Sequence, residues 1–172
     1  GDHSDDIKPV IPAGASDTGA LDAVFETLIR SGKEAPTAKL MLIPEAWQSN
    51  PNLPANHKAM YEYMASVMEP WDGPAALAMT DGHWAVAGVD RNALRPLRYS
   101  RTNDGLLIIG SETGMVIVPE NTIVEKGRLG PSQMIAVNLD EGKLYRDAEL
   151  KDRVAAEQDY AALVGGFRTI SD

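Results

Sequence analysis

Pro74-Ala75-Ala76-Leu77-Ala78-Met79-Thr80-Asp81-Gly82-His83-Trp84-Ala85-Val86-Ala87-Gly88-Val89 is the stretch on which the fold turns. Two apolar runs flank Asp81-Gly82, a two-residue hairpin signal, so residues 74–80 and 83–89 are predicted as an antiparallel pair. Small side chains dominate the pair, which implies close packing of layers rather than an exposed ribbon. The same arrangement recurs downstream, where Tyr99–Thr102 and Leu106–Gly110 flank Asn103-Asp104-Gly105. Met115–Val118, Gln133–Leu139 and Lys143–Tyr145 complete the predicted strands, the last two joined by Asp140-Glu141-Gly142.

Helical spacing surrounds this block. Leu21, Val24, Phe25, Leu28 and Ile29 fall on one face of a helix from Asp17 to Arg30, with Ser16 as N-cap and Ser31-Gly32 as the stop. Leu40-Met41-Leu42-Ile43 forms a short apolar stretch ended by Pro44, and a loop pinned by Trp47 follows. A second helix is predicted from an Asn56 cap, with Met60, Tyr61, Met64, Val67 and Met68 on one face, ending before Pro70. Residues 1–15 read as an irregular lead-in. After Asp147 the pattern is helical to about Val164, so 147–172 reads as a C-terminal helix and linker. Helices, then antiparallel strands, then a helix argue for an α+β fold with helices layered on a sheet.

Composition excludes several functions. The 172 residues are 44% hydrophobic and carry a net charge of −9, from 25 acidic and 16 basic residues. That balance opposes nucleic-acid phosphates. No apolar run approaches the roughly 20 residues of a membrane span, and the acidic start is neither signal nor transit peptide, so a cytoplasmic location is expected. Without cysteine the chain has no disulfide, thiolate or Cys-based cluster, and His3, His57 and His83 lack ligand spacing, so no metal site is expected. Gly1 is not an initiator residue, which suggests a chain cut from something longer or one carrying an added residue.

Four segments could carry chemistry. In Ser16-Asp17-Thr18, Asp17 reads either as a helix-start residue complementing the dipole or as a clamp for a ligand ammonium group. In Asp90-Arg91-Asn92-Ala93-Leu94-Arg95-Pro96-Leu97-Arg98, three arginines could clamp an anion. The plainer reading is a structured loop in which Asp90 pairs with an arginine and Asn92 makes a local turn bond. Gly110-Ser111-Glu112-Thr113 reads as a turn at a strand end. Lys126-Gly127-Arg128-Leu129-Gly130-Pro131 lacks the lysine–hydroxyl ending of a phosphate-binding loop and reads as a turn.

The order of Leu42-Ile43-Pro44-Glu45-Ala46-Trp47, Met68-Glu69-Pro70-Trp71-Asp72-Gly73-Pro74-Ala75-Ala76, the Asp90–Arg98 segment and Lys126–Pro131 resembles the later half of the glutaminase domain of glutamate synthase large subunits. The first two stretches are particular to that family among class II glutamine amidotransferases. The resemblance runs from about Lys8 to Asp147. It implies part of a four-layer α/β/β/α sandwich of the N-terminal-nucleophile type, incomplete at its N-terminal side. Within it, residues 16–146 would form the amidotransferase portion.

The resemblance also implies a chemistry. An N-terminal cysteine attacks the glutamine amide, its α-amino group serves as base, and backbone and Asn donors hold the oxyanion. The ammonia released then meets 2-oxoglutarate at an FMN site elsewhere in the parent enzyme, which also carries an iron–sulfur cluster. Neither cofactor is expected in this chain.

By the same resemblance Asp17 holds the glutamine α-ammonium group while also capping its helix, with Ser16 as a lesser contact. Asp90, Arg91, Asn92 and Arg95 form a scaffold loop near the site. Ala93 stands where glycine is usual, which puts a positive backbone angle there in doubt. The nucleophilic cysteine, the carboxylate-binding arginine and the oxyanion donors lie upstream of residue 1, so no catalytic residue is assigned here and the chain alone is expected to be inactive. Its partners would be L-glutamine in the intact domain and the remainder of the large subunit. Open strand edges left by a missing half would favour self-association. The alternative is a noncatalytic amino-acid-binding module of the same fold.

Overall fold

A computed structural model describes residues 8–167, and residues 1–7 of the lead-in lie outside them. Residues 8–15 form no helix or strand. The helices are α1 (Asp17–Arg30), α2 (Ala35–Leu42), α3 (Ala55–Val67), α4 (Asp147–Ala155) and α5 (Tyr160–Gly165). The strands are β1 (Ala76–Thr80), β2 (Trp84–Val89), β3 (Arg98–Thr102), β4 (Leu107–Gly110), β5 (Ile123–Arg128), β6 (Met134–Asn138) and β7 (Lys143–Arg146). They make two sheets, ordered β1-β2-β6-β7 and β4-β3-β5, with every pairing antiparallel. The α+β class and both predicted hairpins are as the sequence implies.

Strand alternation sorts the core into layers. Trp84 and Val86 of β2, with Met134 and Ala136 of β6, point to one face, where they pack with α2 through α5. Ala87, Val89 and Ile135 point to the other face and meet Tyr99, Leu107 and Ile109 of the second sheet. Leu21 of α1, Leu42 and Ile43 close the edge against Leu77 and Met79 of β1. The described residues therefore stack as helices, four-stranded sheet, three-stranded sheet. Close packing of small residues holds for Ala87 but not for β1, whose Ala76, Ala78 and Thr80 are exposed.

Several elements differ from the sequence-based expectation. The stretch at 37–43 belongs to a helix, α2, whose eight residues are all buried, so no polar face marks its period. Its start is held from a distance: the Asp81 carboxylate accepts from the Ala35 N–H at 2.7 Å as well as from the Trp84 N–H within its own turn. Asn56 is not a cap; α3 begins at Ala55 behind Pro54, and Val67 faces solvent. Lys126-Gly127-Arg128 is strand rather than turn, because β5 pairs along β3. Met115–Val118 is not a strand: no partner lies beside it, and Ile117 is 97% exposed. The last helix is two, separated before Asp159, whose side chain caps α5 through the Ala162 N–H.

Candidate functional site

The start of α1 is organised by two neighbours with separate tasks. Ser16 is the N-cap, its hydroxyl accepting from the Gly19 N–H at 3.1 Å. Asp17 is exposed, and among the described residues no donor reaches its carboxylate; only its backbone carbonyl is engaged, by the Trp71 indole N–H at 2.9 Å. The expectation that Asp17 itself caps the helix is thus corrected. A Ser side chain one residue earlier already satisfies the orphan amide, which leaves an ionised carboxylate free at the positive end of a helix dipole.

Residues 68–76 connect this helix start to the Asp90 turn. The Trp71 N–H donates to Leu42 O at 2.8 Å while its indole reaches Asp17. Gly73 is required beside it, since a Cβ there would lie 2.6 Å from the Trp71 ring. Asp72 then pairs with Arg91 at 3.2 Å, and the Ala75 N–H donates to Asp90 at 3.1 Å.

Asp90 is 3% exposed and pairs with no arginine, against the plainer expectation for this loop. Its Oδ1 accepts from the Asn92 N–H at 2.9 Å, and its Oδ2 from the N–H groups of Ala75 and Leu94, both at 3.1 Å. The carboxylate replaces water for three amides that a tight reversal strips of partners. That same reversal places Ala93 at φ 51°, so alanine does take the positive angle that glycine takes more cheaply. Arg95 is exposed and makes no ion pair with Asp90, whose carboxylate is taken by the amides.

A buried charge network that sequence reasoning missed lies beneath these loops. Lys151 of α4 pairs with Asp147 at 2.7 Å and with Glu45 at 3.0 Å, and the Tyr61 hydroxyl donates to Glu45 at 3.1 Å. Burial pushes the Glu45 carboxyl up, but Lys151 and Tyr61 outweigh it and hold the group below its ordinary range. Burial lowers Lys151, and Asp147 and Glu45 raise it above the usual lysine value.

Lys39 differs from Lys151. It is fully buried with no carboxylate in contact; its ammonium donates to Ser132 O at 2.6 Å and Ile43 O at 3.4 Å. Burial lowers it to about 7. Gly88 makes room for it, because a Cβ there would sit 2.9 Å from Lys39 Cε. Ser132 in turn donates its N–H to Asp90 O, so Lys39 ties the Pro44 loop to the Asp90 turn. The sequence signal for this network was a lysine inside an apolar run and a glutamate directly after Ile43-Pro44.

Asp17, residues 68–76 and the Asp90 turn are thus joined by direct contacts. Glu112 and Lys126 line a cavity on the three-stranded sheet side, and Lys126–Pro131 meets the end of the Asp90–Arg98 segment, the Leu129 N–H donating to Leu97 O at 2.9 Å, rather than Asp17. Among the described residues no group of three or more His, Asp or Glu could hold a metal ion, and no helix is long and apolar enough to cross a membrane. Without cysteine the donor set does not fit an iron–sulfur cluster.

This α+β fold of antiparallel sheets agrees with the class that sequence comparison assigns. The sequence model described as "Glutamine amidotransferases class-II" matches residues 1–163, and the chain belongs to that family. Within it, the chain is similar to the amidotransferase region of glutamate synthases. It is 62% identical over 155 residues to "Glutamate synthase [NADPH] large chain" of Azospirillum brasilense, covering 90% of this chain and 10% of that protein. To the protein of the same name in Bacillus subtilis (strain 168) it is 40% identical over 160 residues, covering 93% and 10%. "Ferredoxin-dependent glutamate synthase 2, chloroplastic" of Arabidopsis thaliana is 41% identical over 165 residues, covering 94% and 10%. The chain spans about a tenth of the length of these relatives.

Proposed function

We propose that these residues form the ligand-holding, noncatalytic part of a glutaminase domain in a glutamate synthase large chain. The domain would hydrolyse L-glutamine to glutamate and ammonia, and the ammonia would aminate 2-oxoglutarate reductively in the remainder of the protein. FMN and the iron–sulfur cluster belong to that remainder, and a cytoplasmic location is proposed. The three layers described here would be three of four in an α/β/β/α sandwich.

The observation that carries the reading is the free Asp17 carboxylate. It caps nothing, it is exposed, and its backbone is fixed by Trp71. Such a group accepts charge-assisted hydrogen bonds from an α-ammonium group without first giving up an internal partner. Asp90, Arg91 and Asn92 act as scaffold: Asp90 fixes the turn, and Arg91 fixes residues 71–72 through Asp72. Arg95 takes no part in that scaffold. The thiol chemistry requires a cysteine that these 172 residues do not contain.

The absence of cysteine alongside a free carboxylate also favours the second reading, an amino-acid-binding module without chemistry. Glutamine titrated calorimetrically into the 172-residue chain, with glutamate release assayed in parallel, separates the two. We expect neither saturable binding nor release, because one carboxylate holds only one end of the ligand. Tight binding without release supports the module, and glutamate release by the purified chain overturns both.

A further inference from the structure

Eight arginines fall among the described residues. Five are ion-paired: Arg30 with Glu26, Arg91 with Asp72, Arg101 and Arg146 with Glu125, and Arg153 with Glu34. The other three, Arg95, Arg98 and Arg128, have no acidic partner, and all three line one cavity of about 400 Å³ between residues 92–98 and 128–131.

Their placement is costly for the fold. Arg98 and Arg128 stand directly opposite each other in the β3–β5 register, and like charges at that position are destabilising. The chain carries a net charge of −9, yet among the described residues no carboxylate forms an ion pair with any of the three. An unrelieved basic cluster on an acidic molecule is what electrostatic complementarity to a partner requires.

The groove's surroundings distinguish a polypeptide from a small ion. Leu94 is 66% exposed beside Arg95, and Pro96 and Pro131 are exposed with it. Arginine is enriched at protein interfaces, and a small anion would leave the exposed Leu94, Pro96 and Pro131 surface wet. Arg128 also ends β5, which pairs only with β3 and so offers a free strand edge among the described residues.

The geometry points to a docking groove between residues 92–98 and 128–131 for an acidic polypeptide segment, whose carboxylates pair with Arg95, Arg98 and Arg128. This site is separate from Asp17.

A ten-residue glutamate peptide, titrated calorimetrically into the 172-residue chain at low salt, tests it. We expect saturable binding, weakened at least tenfold in R95E/R98E/R128E and weakened by 0.3 M sodium chloride. Pyrophosphate should not bind measurably. Thermal unfolding of R98E should occur at the same or a higher temperature than wild type, because the substitution turns a repulsive cross-strand pair into an attractive one. Should the triple variant not fold, R95E, on the exposed turn, should still bind the peptide at least threefold more weakly. Absence of saturable peptide binding would overturn the proposal, as would equal binding by wild type and the folded variants. Pyrophosphate binding that disappears in the same variants would identify a small-anion site and overturn it too.

Discussion

The two sheets of this molecule are built alike and finished differently. The four-stranded sheet has helices across one face, and its side chains there, Trp84, Val86, Met134 and Ala136, are buried. The three-stranded sheet has no helix on its outer face among the described residues, and its outward-pointing Arg98, Lys126 and Arg128 are exposed. Between the sheets, beside β1 and β4, an open cleft of about 780 Å³ is lined by Ala78, Ala87, Leu107, Ile109 and Val137. Hydrophobic stabilisation is therefore concentrated on one side, and the other side offers surface to something else.

The difference can be broken most forcefully at its core. Trp84→Ala should cost about 3–5 kcal/mol, while Ile117→Ala, on the bare side, should stay within about 0.5 kcal/mol; chemical denaturation measures both. Comparable losses would mean that the second sheet is backed after all.

Asp90 comes next, because it anchors the loop joining the two sheets. Asp90→Asn replaces the Oδ2 acceptor of the Ala75 and Leu94 amides by an NH2 donor, leaving Oδ1 for Asn92, and should destabilise by about 2–4 kcal/mol. Protection of the Ala75 and Leu94 amides from hydrogen exchange should fall in the same variant.

Lys39 sharpens the comparison within the helix-backed side. Its value in the folded state, about 7, lies below that of the unfolded chain. From about pH 7 to 10 the unfolded chain therefore binds the extra proton, and stability should rise with pH across that window. Lys151, shifted upward, keeps its contribution over the same range and loses it only at higher pH. Lys39→Met should stabilise the protein at pH 6 and flatten the rise between pH 7 and 10, measured by denaturant unfolding at each pH. The smallest effect belongs to Ala93→Gly, which relieves a positive φ. It should change stability by less than about 1 kcal/mol, toward greater stability, since relief of strain is offset by unfolded-state entropy.

Much of this arrangement was legible in the chain. The Asp81-Gly82 and Asn103-Asp104-Gly105 hairpins and the Asp17–Arg30 helix all carry local signals, and each is found. What escaped was set by distant contacts. Burial on every side removes the periodicity of α2, and its start is held by Asp81, 46 residues away. The strand β5 contains Glu125, Lys126, Gly127 and Arg128, a turn-like composition, because it is an edge whose outer face is wet. Met115–Val118 has strand composition and no partner. At the site, Asp17 and the Asp90 turn stand out as motifs. Ser16 as N-cap is read from the sequence and found, whereas the role of backbone amides as Asp90's partners depends on geometry that residue types do not encode.

The central claim is that the Asp17 carboxylate is kept free for a ligand rather than for the fold. In a glutamate synthase carrying these residues, Asp17→Asn should raise the KM for glutamine in glutaminase turnover at least tenfold. Its unfolding free energy should drop by no more than about 1 kcal/mol, the size of a helix-dipole contribution. An unchanged KM together with a marked loss of stability would contradict the account and return Asp17 to a purely structural role.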